Sequence, residues 1–447
     1  MTETPKSSSA DLVVTNARVV TGDGAQTEHL SGGVAVKDGR IVAVGPDPDL
    51  APYAETAAEV INANGEILAP GLINTHCHAA NSLFRGIAEG LPLEAWLDRV
   101  WRAEHAVLSE ETTVLGASFG LAENLLCGVT TVMDMYWYPE AVVRAAAAVG
   151  VRIATGPHLF EQKGMDKARP EDRMDMAHAF FAAHGDDPHL IPTVMAHGAY
   201  TVGTDMMRDG LALATEKGAL FCTHAAETRA EQATIQERYG TSVIRYLDSL
   251  GVLTPRTVLA HCVHVDDHER RLLADNGVTV SHNPASNLKI GAGIAPVPEL
   301  IAMGVRVALG TDGPISGNDL DMWKAVRYAA IIHNGRLESP TAILPRQAFE
   351  MATIKGAQAL GMGDELGSLE PGKRADFILL RTDDVHSAPL FDPLDHLVYA
   401  AAKSDVTDVF VSGERVVKDG RLTRADLSAI MADVRALQPA IAAAIAD

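Results

Sequence analysis

Asn74-Thr75-His76-Cys77-His78 closes the apolar run Ile67-Leu68-Ala69-Pro70-Gly71-Leu72-Ile73. In a strand, residues two apart point to one face, and imidazole is the commonest side-chain ligand for a transition metal. A strand that ends in His-x-His therefore presents two nitrogen ligands from one rigid edge. His224 and Asp312 extend the set to three nitrogens and one carboxylate oxygen. That set suits Zn²⁺ or Fe²⁺ and leaves a position for water. Glu227 follows His224 by three residues in Thr223-His224-Ala225-Ala226-Glu227-Thr228. It is available as a general acid/base beside such a metal; the plainer reading is a first-turn helix glutamate favoured by the helix dipole. His261 sits nearer the end of its apolar segment than His264 does, and His282, in Ser281-His282-Asn283-Pro284, suits a structural place as well as a functional one.

These residues need elements that converge. Strand patterns fall at 72–75, 130–134, 152–155, 192–195, 220–223, 258–260, 278–281 and 306–310, with helical patterns between most of them. One helix is clear over 113–126, where Val114, Leu115, Leu121 and Leu125 share a side. Eight β-then-α units predict an α/β fold, a (β/α)8 TIM barrel, with a doubly wound sheet as the competing pattern. In a barrel the strand ends meet at one mouth. His76 and His78 end the first strand; His197, His224, His261, His282 and Asp312 follow the fourth to the eighth. No lysine stands near the fourth strand, in Thr193-Val194-Met195-Ala196-His197, to bridge two metals, so one divalent metal per chain is expected. Short β patterns at 12–14, 17–20, 33–36, 41–44 and 60–63, and again at 375–380, 406–413 and 414–417, predict a small β-sandwich domain built from both chain ends. The expected division is 1–68 and 366–447, with a terminal helix, for the sandwich, and 69–365 for the barrel.

The chain has 447 residues and a net charge of −21. That charge disfavours nucleic acid and anionic membranes as partners. Residues 1–10 are polar without a signal-like core, and no run reads as a membrane span, so a cytoplasmic enzyme is expected. Cys77, Cys127, Cys222 and Cys262 form no CxxC pair and read as reduced, buried thiols. His178, His184, His189, His268, His333, His386 and His396 read as surface or packing residues.

The runs Pro70–His78, Leu259–His264, Ser281–Lys289, Leu309–Gly313 and Pro371–Asp376 resemble the amidohydrolase superfamily over nearly the whole chain. Leu83-Phe84-Arg85-Gly86-Ile87-Ala88-Glu89 with Trp96-Leu97, Asp134-Met135-Tyr136 and the stretch 281–297 are similar to one branch. That branch holds the S-adenosylhomocysteine/5′-methylthioadenosine deaminases and the triazine (chloro)hydrolases. The resemblance implies His76, His78, His224 and Asp312 as metal ligands, zinc before iron. It implies Glu227 as proton shuttle, His261 against the attacking water, His197 against the substrate, and Trp96 and Ser316 in the pocket wall. Arg173 and Glu104 match further substrate contacts, with His105 as the gapless alternative to Glu104. Pro157 stands where the adenosine-type enzymes carry an arginine, and Met195-Ala196 replaces their glycine-proline. The expected activity is metal-dependent hydrolytic release of ammonia from an amino-substituted N-heterocycle: adenosine-like, another purine or a pterin. The rivals are a triazine or pyrimidine hydrolase that displaces chloride or alkylamine, a cyclic amide hydrolase, and a non-catalytic binding protein of the same fold. A small-molecule substrate and a homo-oligomer are also implied.

Overall fold

The computed structural model describes residues 9–91, 93–185 and 187–446. Eight parallel strands run in sequence order around a nearly closed barrel: β1 (Leu72–Cys77), β2 (Val129–Asp134), β3 (Arg152–Thr155), β4 (Leu190–Gly198), β5 (Leu220–Ala225), β6 (Thr257–His261), β7 (Thr279–His282) and β8 (Arg306–Leu309). The doubly wound alternative is excluded, because β8 returns to β1 through a parallel bridge between Cys77 and Asp312. β4 is longer than the pattern predicts and contains His197 rather than preceding it. A two-residue strand, His158–Leu159, also pairs with β4; its brevity leaves no periodicity to read.

The β1–β8 seam is zipped mostly by side chains. Asn74 donates to Thr311 Oγ1 (2.8 Å) and accepts from Thr311 N (3.1 Å), and Thr75 Oγ1 donates to Leu309 O (2.9 Å). Thr311 N and Asp312 N both donate to His76 O, at 3.2 and 3.0 Å. Gly310 permits this approach, since a Cβ there would lie 2.4 Å from Asn283 Oδ1 and 2.8 Å from His76 Cβ. The apolar cluster of Ile73, Met133, Ala154, Met195, Leu220, Cys222 and Val258 is closed off by Leu360 and Leu366. Cys222 precedes His224 by two residues on the same strand, so this apolar layer underlies the polar mouth. Only some of the helices between strands carry a side-chain cap. Ser109 and Thr112 form a reciprocal box at the start of Glu110–Leu126, which begins three residues earlier than its apolar pattern because the capped first turn is polar.

The small domain is one mixed, nine-stranded sheet from both chain ends. Phe377–Leu380 lies antiparallel to Ile67–Pro70 and joins the two contributions. The far edge, Arg40–Pro46, turns back to the 372–374 segment: Ile41 N donates to Lys373 O (2.9 Å) and Gly372 N to Ile41 O (2.8 Å). The sheet thus wraps a shared core of Val14, Val34, Leu68, Phe377, Leu379 and Phe410, with the two phenyl rings stacked at 4.3 Å. The two N-terminal patterns at 12–14 and 17–20 are a single strand, Leu12–Val20, interrupted by Asn16 at φ 56°.

One correction concerns the end of the chain. Leu427–Ile445 is a 19-residue helix with mean hydropathy 1.2, long and apolar enough to cross a membrane, where no such run was expected. Seven of its 19 residues are alanine, and Ile, Leu, Val and Met supply the rest of its apolarity. It lies against the helices Leu93–Val107 and Glu110–Leu126 and buries Ile441.

Barrel and sheet are tied by a buried ion pair. Arg152, at the start of β3, makes a two-pronged contact with Asp376 and donates to Ser412 Oγ (2.7 Å); both charged groups are buried. Removing one partner of a buried pair leaves an uncompensated charge. Asp376→Leu is expected to lower unfolding free energy by about 3–5 kcal/mol, and adding Arg152→Met is expected to recover most of that. Chemical denaturation of the single and double variants checks this; equal loss in both would count against the charge argument.

Candidate active site

The ends of β1, β5 and β8 bring four side chains to one point. His78 Nε2 stands 3.2 Å from Asp312 Oδ1 and 3.3 Å from His224 Nε2. His76 Nε2 stands 3.5 Å from the same Asp312 oxygen, and the His76 ring centroid lies 4.8 Å from those of both His78 and His224. Two of the imidazoles are oriented from behind: His78 Nδ1 donates to Met135 O and His224 Nδ1 to His197 O, each at 2.5 Å. These bonds turn both Nε2 lone pairs toward the centre, the usual arrangement behind metal-bound histidine. Asp312 is likewise fixed. Its Oδ2 accepts from Ser286 Oγ (2.6 Å) and Ser316 Oγ (2.7 Å), and Oδ1 accepts from Gly313 N (2.8 Å).

The donor set fits a divalent cation. His76 is fully buried, yet neither ring nitrogen has a hydrogen-bond partner. A buried polar atom without a partner is costly, and a cation on Nε2 would relieve that cost. Burial pushes His76 down to about 4, with some opposition from Asp312. Burial also opposes charge on His78, but Asp312 and the Met135 carbonyl outweigh it and hold the group up to about 9. Asp312 is held well below the usual carboxylate range by His76 and His78, against its burial. The carboxylate of Asp312 would bind a metal directly, and metal on His78 Nε2 would replace a proton there.

Glu227 and His261 stand beside this centre. Glu227 Oε1 is 3.8 Å from His261 Nδ1, and the two groups lie within 4.8 Å of Asp312. The His261 ring stacks on His224 at 5.5 Å, and its Nδ1 lies 2.8 Å from Asn287 Oδ1. Burial raises the Glu227 carboxyl, with Asp312 adding and His261 opposing. Three strand ends share left-handed backbone at residues other than glycine: Ala226 (φ 53°), His261 (79°) with Cys262 (46°), and Asp312 (62°). Such conformations cost about 1–3 kcal/mol each and cluster where geometry serves a site.

The remaining candidates divide. The His197 ring lies 5.0 Å from His224 and faces Phe160 and Tyr200; burial, then the charges of His78 and His76, push it down to about 3. Glu104 is buried, accepts from Tyr136 Oη (2.6 Å) and is pushed up to about 7 by burial, whereas His105 is exposed. Trp96 is half-buried on the same helix, Leu93–Val107, eight residues before Glu104 and so on the same stripe. Ser316 directs its hydroxyl hydrogen to Asp312. Arg173 is engaged in a buried two-pronged pair with Asp166 and lies 5.6 Å over Trp137. His282 stays outside the cluster, buried 5.4 Å from His333. The four cysteines are buried and free. Ser286 and Asn287 lie in the Ser281–Lys289 motif, but the sequence assigns no individual role to them or to Glu231. Glu231 has a signal of its own, as the fourth residue of the capping pattern Thr228-x-x-Glu231.

Residues 67–416 match the amidohydrolase family. The chain belongs to that family. A member from Syntrophobacter fumaroxidans, 5-methylthioadenosine/S-adenosylhomocysteine deaminase, is 37% identical over 96% of this chain and 98% of its own. An adenosine deaminase from Xanthomonas campestris, solved with bound zinc, superposes with TM-score 0.94 at 32% identity, over 97% and 99% of the two chains. An atrazine chlorohydrolase from Arthrobacter aurescens, complexed with zinc, superposes with TM-score 0.88 at 26% identity, over 95% and 99%. As an amidohydrolase, the protein is a hydrolase of carbon–nitrogen bonds other than peptide bonds.

Because two hydroxyls hold Asp312 Oδ2, the double variant Ser286→Ala/Ser316→Ala is expected to bind metal about 10–100-fold more weakly. Chelator competition measures this; unchanged affinity would show that the backbone alone orients Asp312.

Proposed function

We propose that this amidohydrolase is a deaminase of adenine-type nucleosides, with one zinc ion held by His76, His78, His224 and Asp312. The observation that carries the reading is the approach of His76 and His78 Nε2 to Asp312 Oδ1, with His224 Nε2 3.3 Å from His78 Nε2 and the Glu227 carboxyl beside His261 at the same mouth. Similarity to deaminases of adenosine and of its 5′-thio derivatives supports the choice of heterocycle.

When bound, the divalent cation supplies Lewis acidity, which lowers the pKa of water from about 16 to about 7. The rest is done by side chains. Glu227, whose carboxyl is raised by burial, holds a proton at neutral pH more readily than a surface glutamate. It delivers that proton to the ring nitrogen beside the amino-bearing carbon, which makes the carbon electrophilic. His261 holds the incoming oxygen. Asp312 accepts one proton of the attacking water and passes it to the amine, the C–N bond breaks and ammonia leaves, while the Glu227 carboxylate takes the remaining proton from the added oxygen. His197, Glu104 and Trp96 contact the substrate. Ser316 offers it only oxygen lone pairs, and Arg173 meets it as one half of a neutral pair with Asp166.

The reading includes a cytoplasmic homo-oligomer without nucleic-acid or membrane partners. Four free thiols suit a reducing compartment, and a net charge of −21 repels anionic polymers and lipid surfaces. Phe391 and Val385, 90% and 86% exposed, suit a surface covered by a second copy.

The test is a screen of ammonia release over adenosine, 5′-methylthioadenosine, S-adenosylhomocysteine, guanine, pterins, cytosine and aminotriazines, with chloride and alkylamine assayed in parallel. Adenine nucleosides are expected to lead; chloride or alkylamine release without ammonia would transfer the protein to the triazine reading. Glu227→Gln is expected to keep its metal and lose turnover by about 10²–10⁴-fold, and undiminished turnover would sink the proton-shuttle role. Asp312→Ala is expected to lose both turnover and metal, which elemental analysis checks.

A further inference from the structure

Two helices at the mouth begin with the same pattern and use it differently. After β6, Asp266-x-x-Glu269 forms a reciprocal capping box: Asp266 accepts from Glu269 N (2.9 Å), and Glu269 accepts from Asp266 N (2.7 Å). After β5, Thr228-x-x-Glu231 completes only half of such a box. Thr228 Oγ1 accepts from Glu231 N (3.1 Å), but Glu231 Oε2 reaches one residue further back and accepts from Glu227 N at 2.7 Å. The glutamate that a cap would spend on its own helix is therefore bonded to the residue assigned to proton transfer.

We propose that Glu231 is a positioning residue, whose carboxyl fixes the backbone of Glu227 and so aims the Glu227 side chain at the reacting centre. The inference rests on the role assigned to Glu227 in the proposed function. The surrounding backbone shows why a fixing group is needed. Ala226, next to Glu227, is held at φ 53°, a conformation unfavourable for alanine. Its carbonyl accepts from Val263 N and His264 N, both at 2.9 Å, which stitches this turn to the turn that carries His261. The stitch holds Ala226 from one side, and Glu231 holds Glu227 from the other. Between them they set the 3.8 Å separation of Glu227 Oε1 and His261 Nδ1. A catalytic group must be held to within about 0.5 Å of its productive place.

Glu231 is built in rather than solvated. It is 6% exposed, and its second oxygen, Oε1, has no hydrogen-bond partner. Burial pushes its carboxyl up to about 7, with the Glu227 charge adding and the Glu227 N–H opposing. The capping glutamate Glu269 is just as buried and also has an unpartnered Oε1, so what sets Glu231 apart is its bond to Glu227 N. Tyr200, His261 and Cys262 are the other titratable side chains close enough to feel it.

The test compares Glu231→Leu, Glu231→Gln and Glu269→Leu in the metal-loaded enzyme, reading kcat, KM, metal content and thermal midpoint. Leucine removes the acceptor. The expected result is a kcat lower by roughly 10–100-fold, with KM within about 3-fold and full metal content. Glutamine keeps a carbonyl oxygen for the Glu227 N–H and is expected to stay within about 5-fold of the parent kcat. Glu269→Leu breaks the ordinary box and is expected to lower the midpoint while leaving kcat within about 3-fold. If Glu231→Leu does not fold, Glu231→Asp withdraws the oxygen by one methylene and should give the same loss confined to kcat. A parent-like kcat in Glu231→Leu, no rescue by glutamine, or an equal kcat loss in Glu269→Leu would each overturn the proposal. Glu227→Gln in the same series separates the two failures. If it remains active, the proton-shuttle role has failed; if it is inactive while Glu231→Leu works normally, only the positioning role has failed.

Discussion

The join between the first and last strands of the barrel is the constraint on which the site depends. Most neighbouring strands here are fastened by a regular ladder, but β1 and β8 share a single bridge at Cys77 and Asp312. The rest of the closure falls to Asn74, Thr75 and Thr311, and to the His76 carbonyl, which accepts two backbone N–H groups. His76, His78 and Asp312 stand on the two sides of this join. Their separation is therefore set by side-chain hydrogen bonds and by the close approach at Gly310. A shift of β8 against β1 would part the Asp312 carboxylate from both histidines at once.

Strain and orientation are concentrated around the same place. Left-handed residues follow β5, β6 and β8, where His224, His261 and Asp312 turn into the mouth. Carbonyl oxygens of Met135, just past β2, and of His197, on β4, dictate which nitrogen of His78 and of His224 faces inward. The apolar layer around Met133, Met195 and Cys222 gives these polar groups a rigid floor. Conformational cost at the mouth is thus met by packing one layer below.

Much of this architecture is legible in the residues. His76 and His78 have same-face spacing that a strand cannot hide, and eight apolar segments, most of them running into His or Asp, announce a barrel with one working face. What was not legible has physical causes. Glu231 reads as a helix cap because capping and positioning use the same four-residue pattern, and only the backbone turn at Ala226 decides between them. Arg173 matches a substrate contact in the sequence, and only the fold brings Asp166 beside it. A gapless count lands on His105, and only helix phase shows that the neighbouring Glu104 is the buried one. The Met135 and His197 carbonyls cannot be read from side-chain identity at all, since every residue carries one.

The clasp between Arg152 and Asp376 joins positions 224 residues apart. During synthesis, β3 leaves the ribosome long before its counter-ion exists. Until then the guanidinium at the foot of β3 has no carboxylate to meet, and Ile67–Pro70 has no partner in Phe377–Leu380. The lower end of the barrel must therefore stay hydrated and loose through most of translation, and closes only when the C-terminal strands arrive. A chain that stops short of Asp376 would carry all four proposed metal ligands, yet it could not dry the base on which they stand.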